Sequence, residues 1–115
     1  MSYMLLIVEP GGQRAARAPH EAHGLYRRML DYTESLKTRG VLLASDSLRA
    51  PAARLSMRAG RPSVVDGPFT ESKELIGGFF LLDCATRDQA LSLAAECPAA
   101  EWATIEVREI GPCYE

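Results

Sequence analysis

Val64-Val65-Asp66-Gly67-Pro68-Phe69-Thr70-Glu71-Ser72-Lys73-Glu74, running on to Gly77-Gly78-Phe79-Phe80-Leu81-Leu82-Asp83, joins two apolar runs through a corner. The first run is β-branched and stops at an acid. Gly67-Pro68 then forces a change of direction, because proline locks its own φ and restricts the residue before it. A short charged turn follows, and Gly77-Gly78 opens the second run. Two strands that both touch a core are therefore linked by a rigid corner carrying Asp66, Glu71, Lys73 and Glu74.

Upstream of this corner, Arg54-Leu55-Ser56-Met57-Arg58 alternates, which predicts Leu55 and Met57 inward and the arginines outward. Ala59-Gly60-Arg61 makes a turn and Pro62 to Asp66 returns, so the segment reads as a β-hairpin. Arg49-Ala50-Pro51-Ala52 separates it from Val41 to Ala44, a short strand. Before that strand, Ala22, Leu25, Tyr26, Met29, Thr33 and Leu36 recur every three or four residues and form the apolar face of a helix. Pro19 suits its first position and Gly40 its C′ position. Tyr3 to Val8 is a nearly continuous apolar run, expected of a strand central in a sheet or buried on both sides. Residues 9–17 read as a loop.

Downstream, Ile76 to Asp83 is a strand, and Thr86-Arg87-Asp88-Gln89 fits a capping box that opens a second helix. That helix packs through Ala90, Leu91 and Ala94, and Pro98 stops it. Ala103, Ile105 and Val107 then alternate with polar residues in a last half-buried strand. The order β-α-β, hairpin, β-α-β predicts an α+β chain: a ferredoxin-like split β-α-β unit with an inserted β-hairpin and both helices on one sheet face. A single helix layer leaves the other face bare. Phe79 or Phe80, Trp102 and Ile110 alternate in direction and cannot all point at the helices, so a homodimer covering the open face through a two-fold axis is expected.

The chain has 115 residues, enough for one domain spanning 1–115. Its 13 basic and 15 acidic residues nearly balance, leaving no net field to hold a polyphosphate, so no nucleic-acid partner is expected. No apolar run approaches the roughly 18 residues that span a bilayer, and the first residues carry no basic leader. No membrane association and a cytoplasmic location are the expectations. Cys84, Cys97 and Cys113 lack C-x-x-C spacing and read as reduced thiols, the first two separated by a helix and Cys113 exposed.

The corner Asp66-Gly67-Pro68-Phe69 with Glu71 and Lys73 resembles the DGPF signature of the YCII-related domain family. Tyr3-Met4-Leu5-Leu6-Ile7, Leu36 through Gly40 to Ala44, Gly77-Gly78-Phe79-Phe80-Leu81-Leu82-Asp83, Cys97-Pro98 and Ile105-Glu106-Val107-Arg108 extend the resemblance over essentially the whole chain, in the family's own order. The resemblance implies a dimeric α+β barrel of ferredoxin-like subunits. It also implies kinship with small cofactor-free enzymes that use a His-Asp pair, and a neighbourhood of extracytoplasmic-function sigma factors. Neither His20 nor His23 stands at the group's histidine spacing from Gly40, so the resemblance transfers no catalytic histidine.

From the residues themselves, Asp66 and His23 are the catalytic candidates. An acid at a strand end beside a cleft can act as a general acid or base, although an Asp before Gly-Pro more commonly fixes the turn. His20 and His23 share a helix face, but two histidines with no third ligand make no metal site, and no metal or other cofactor is expected. Gly67, Pro68, Phe69, Glu71 and Lys73 are the candidate ligand-binding residues, with Lys73 holding an anionic group against Asp66. Gly11-Gly12 lacks the phosphate-loop spacing. Two functions follow: a small cofactor-independent enzyme acting on a small polar or aromatic molecule, or a non-catalytic dimeric module that binds a metabolite or a protein such as a sigma factor.

Overall fold

Strand alternation organises the structure, a computed structural model that describes residues 1–67 and 73–114. In β1 (Ser2–Pro10) the odd positions Tyr3, Leu5, Ile7 and Glu9 are buried, while Ser2, Met4, Leu6 and Val8 are only half-buried and Pro10 is exposed. A central strand with one dry and one part-open face shows this pattern. β1 pairs antiparallel with β5 (Glu74–Asp83) on one side and β6 (Thr104–Glu109) on the other, and β2 (Leu42–Ser47) adds to the far edge of β5. The strand order β2-β5-β1-β6 is that of a ferredoxin-like α+β fold.

α1 (Pro19–Thr38) and α2 (Arg87–Ala95) both cover the dry face. Tyr32 and Leu36 from α1 and Ala90, Leu93 and Ala94 from α2 share one core with Tyr3, Leu5, Ile7, Phe80 and Leu82. Tyr32 ties α1 to both β5 and α2. Its ring meets Phe80 edge-on at 5.2 Å, and its hydroxyl donates to the Leu93 carbonyl at 2.6 Å. Burial pushes this phenol well above the ordinary tyrosine range, so it stays a donor. Tyr32→Phe removes that bond alone and is expected to cost about 1 kcal/mol in urea denaturation. Cys84 and Cys97 lie in the same core, and burial pushes both thiols up; Cys113 is exposed.

The helix signals act where the sequence places them. Pro19 is the first residue of α1, and Gly40 follows the Arg39 cap at φ +71°, a region that costs glycine little. The Thr86 side chain accepts from the Gln89 N–H, while Gln89 reaches back to Ala85 rather than to Thr86 itself. Pro98 begins a 3₁₀ turn, Pro98–Glu101, that carries the chain to Trp102.

Three expectations need correction. First, β1 does not end at Val8: Glu9 and Pro10 continue its ladder opposite Leu75 and Glu74, which brings Glu9 onto the dry face. Second, the hairpin of β3 (Ala53–Arg58) and β4 (Arg61–Asp66) forms a separate two-stranded sheet. Its two-residue turn, Ala59-Gly60, has positive φ at both positions, as a type I′ turn requires. Leu55 and Met57 do not face a core: they are 66% and 54% exposed, with Val64 beside Leu55 at 59%. The radius of gyration, 16.0 Å, exceeds the roughly 13 Å of a compact domain this long because the hairpin projects. Third, Trp102 does not lie on the open sheet face. It packs against the helix-side core, below Arg17 and Arg28. The open face carries instead Met4, Leu6 and Val8 of β1 with Phe79 and Leu81 of β5, all half-buried. No helix among the described residues is long and apolar enough to cross a membrane.

Candidate functional site

A buried acid facing a glycine builds the site. At Glu9 the odd-numbered, core-facing parity of β1 ends in a carboxylate only 4% exposed. A buried charge requires a partner, and Arg14 supplies one from the turn after β1. Its Nη2 lies 2.6 Å from Glu9 Oε1 and 3.2 Å from the Gly77 carbonyl, and its Nη1 donates to the Leu48 carbonyl at 2.7 Å. One guanidinium thereby ties β1, the chain after β2, and β5.

Gly77 makes this possible in two ways. It is the extra residue of a β-bulge: Ile7 pairs with Gly78 and Val8 with Ile76. The bulge takes the Gly77 carbonyl out of the β1 ladder and leaves it to accept from the Leu48 N–H at 2.9 Å and from Arg14. A side chain is also excluded, because a Cβ there would overlap Glu9 Oε1 and stand 2.7 Å from Arg14 Nη2. Gly78 is similarly confined, its Cβ position lying 2.9 Å from the Asp46 carbonyl. Gly77→Ala is expected to cost about 1–3 kcal/mol by overpacking, read as a lower urea midpoint with an unchanged slope. A stability equal to the parent would show that the Glu9–Arg14 pair does not occupy this space.

Beside this pair opens a cavity of about 500 Å³ between α1, the chain after β1, and the β2–β5 end of the sheet. Leu25, Met29 and Trp102 form much of its apolar wall, and Glu9, Arg14, Arg17 and Arg49 bring charge to it. Its size is that of a small-molecule pocket. Gln13 donates to the Trp102 carbonyl at 2.7 Å, and the Arg17 guanidinium lies 5.7 Å from the indole centroid, a cation–π distance. Arg28 lies 5.5 Å from the same ring and pairs with Glu101, whose carboxyl it holds below the usual range. That pair is exposed and contributes little to stability.

The sequence candidates lie elsewhere. Asp66 ends β4 opposite Ala53 and is exposed, and the adjacent Gly67 donates its N–H to the Ala52 carbonyl at 2.6 Å. Lys73 is exposed, its carbonyl accepting from the Gly11 N–H at 2.8 Å. Pro68, Phe69 and Glu71 lie outside the described residues. His20 and His23 are exposed in the first turns of α1. None of Asp66, Gly67, Lys73, His20 and His23 lines the cavity. Sequence reasoning missed Glu9, Arg14 and Trp102 as a site. One signal was present: the odd-numbered register Tyr3, Leu5, Ile7 runs directly into Glu9.

Comparison with known proteins places this geometry in context. A family model for the YCII-related domain matches residues 1–113. An uncharacterised protein of Rhizobium meliloti (strain 1021) is 46% identical over 61 residues, 51% of this chain and 49% of that protein. The match thus spans about half the length of that curated relative. Among solved structures, 5-chloro-2-hydroxyhydroquinone dehydrochlorinase (TftG) from Burkholderia phenoliruptrix AC1100, in complex with 2,5-dihydroxybenzoquinone, is similar with a TM-score of 0.56 and 16% identity. The similarity covers 96% of this chain and 94% of the enzyme, a likeness of fold.

Proposed function

The chain belongs to the YCII-related domain family, and from that premise we propose a small cofactor-independent enzyme that moves a proton on a small polar or aromatic molecule held in the α1–sheet cavity, with Glu9 as the proton carrier. One observation carries this reading. Glu9 is buried in the cavity wall, yet only one of its oxygens, Oε1, is engaged among the described residues. The other is available to a ligand. A carboxylate so placed can take a proton from an acidic C–H, leaving the bond's electron pair on the substrate as an enolate, and return it at another atom, a tautomerisation that needs no co-reactant. Arg14 holds the carboxylate in position. That a neighbour of the same fold is an enzyme in complex with a small hydroxylated quinone supports the size class of the ligand.

The test is hydrogen exchange. In D₂O, cyclic 1,3-diketones and hydroxyquinones should lose their acidic C–H signals in proton NMR faster with the protein than in buffer. Binding without any acceleration across the class would leave a binding module in place of an enzyme.

A second observation favours a dimer, whichever activity holds. The open face presents Met4, Leu6, Val8, Phe79 and Leu81, and the hairpin exposes Leu55, Met57 and Val64. Apolar surface of this extent suits a second copy of the chain. Light scattering over a dilution series should report a dimer, and Leu6→Asp should shift it to monomer. A parent protein that is monomeric throughout would remove this part of the reading.

A further inference from the structure

The geometry points to a planar anion as the molecule the cavity takes: an aryl carboxylate or a ring enolate, its oxygens held by Arg17 and Arg49 and its ring along the wall of Leu25, Met29 and Trp102. This rests on the reading of the cavity as a small-molecule site and specifies its ligand.

The arginines that line the cavity are not equivalent. Arg14 is committed, to Glu9 Oε1 and to the carbonyls of Gly77 and Leu48. Arg17 lies over Trp102, and neither Arg17 nor Arg49 forms a salt bridge among the described residues. Two acids also line the cavity, Glu9 and Asp46. Glu9 is answered by Arg14. Asp46 stands opposite Phe79 in the β2–β5 ladder, and Phe79 opposite Leu6 in the β5–β1 ladder. Side chains directly across a ladder share a sheet face. Leu6 lies between Leu5 and Ile7, which face the helices, so Asp46 directs its carboxylate to the open face. What rims the cavity from Asp46 is main chain, its carbonyl set against Gly78.

Two guanidiniums therefore stand at the cavity with no side-chain anion to answer them. Arg17 is half-buried, and a partly desolvated cation favours a counter-charge far more than one in open water does, while Arg49 stands exposed at the rim; the guanidinium fork matches the two oxygens of a carboxylate or of a conjugated enolate. The apolar part of the wall is aromatic and aliphatic, suited to a flat ring.

Trp102 is the sole tryptophan of the chain and lines the cavity, so its fluorescence reports occupancy. Benzoate and salicylate should change it saturably and bind at least about 10-fold more tightly than benzamide and salicylamide, a difference of about 1.4 kcal/mol or more. Arg49→Gln should erase most of that preference while leaving the amides as they were, and added salt should weaken the anions alone. Arg49 is exposed, so the variant should keep the parent's far-ultraviolet circular dichroism. If anions and amides bind equally, or Arg49→Gln keeps the anion preference, the charge assignment falls and the cavity remains a site for neutral molecules. If neither class changes the fluorescence or shows heat of binding, the cavity reading falls with it.

Discussion

Glu9→Gln is expected to lower proton transfer by about 10²–10⁴-fold, the usual contribution of a positioned acid or base, while the protein still folds and binds. An amide oxygen can accept the Arg14 N–H as the carboxylate does at 2.6 Å, but an amide does not take up or release a proton near neutral pH. The exchange of the hydrogen bond's ionised acceptor for a neutral one should cost about 1–2 kcal/mol of stability. Asp66→Asn is the companion measurement. Asp66 is exposed and does not line the cavity, so its amide variant should exchange substrate protons at the parent rate. The opposite pattern, with Glu9→Gln active and Asp66→Asn inactive, would move the proton chemistry to the hairpin corner.

Arg14→Leu should be the most destabilising single change at the site, at about 3 kcal/mol or more, because it leaves the Glu9 carboxylate buried without a counter-charge. The double variant Glu9→Leu/Arg14→Leu should recover most of that loss, since removing both partners leaves no orphaned charge. Recovery will be incomplete, because the carbonyls of Leu48 and Gly77 also lose donors. Urea denaturation of the parent, both single variants and the double variant closes the cycle, and a coupling energy of about 2 kcal/mol is expected. Additive costs would mean that water from the cavity satisfies Glu9 and that the pair is not what holds this wall together.

Most of the fold was legible because its signals are local. Pro19 opens α1 where its missing N–H has no intrahelical partner to lose, and Gly40 closes it at a positive φ that favours glycine. Thr86 caps α2 three residues ahead of Gln89, and Ala59-Gly60 supplies the I′ turn between β3 and β4. Alternation gave β6 its inner face, continuous apolar runs marked β1 and β5 as strands, and the two β-α-β halves implied the sheet order. The hairpin shows where pattern alone stops. Arg54 to Arg58 alternates as a half-buried strand should, but alternation says only which residues share a face, not whether anything covers it.

The site was legible only in pieces. Gly77-Gly78 stands out in the sequence, yet the need for it comes from a carboxylate 68 positions earlier in the chain (77 minus 9) and a guanidinium that enters the same space. Trp102 reads as a surplus aromatic until the turn after β1 brings Gln13 and Arg17 to it. Asp66 attracts attention because its motif is compact, whereas the cavity is assembled from short pieces of six segments.

By itself, then, the sequence determined the α+β class, the order of its elements, and the residues that cap its helices, since each of these depends on dihedral preference and periodicity within a few residues. Only the tertiary structure decided which acid is buried, which arginine neutralises it and which other arginines line the cavity. Burial and pairing of charge depend on contacts between separate segments, here Arg14 reaching Glu9 at 2.6 Å, the Leu48 carbonyl at 2.7 Å and the Gly77 carbonyl at 3.2 Å, and the free energy of a carboxylate changes by several kcal/mol with that environment while its place in the chain stays the same.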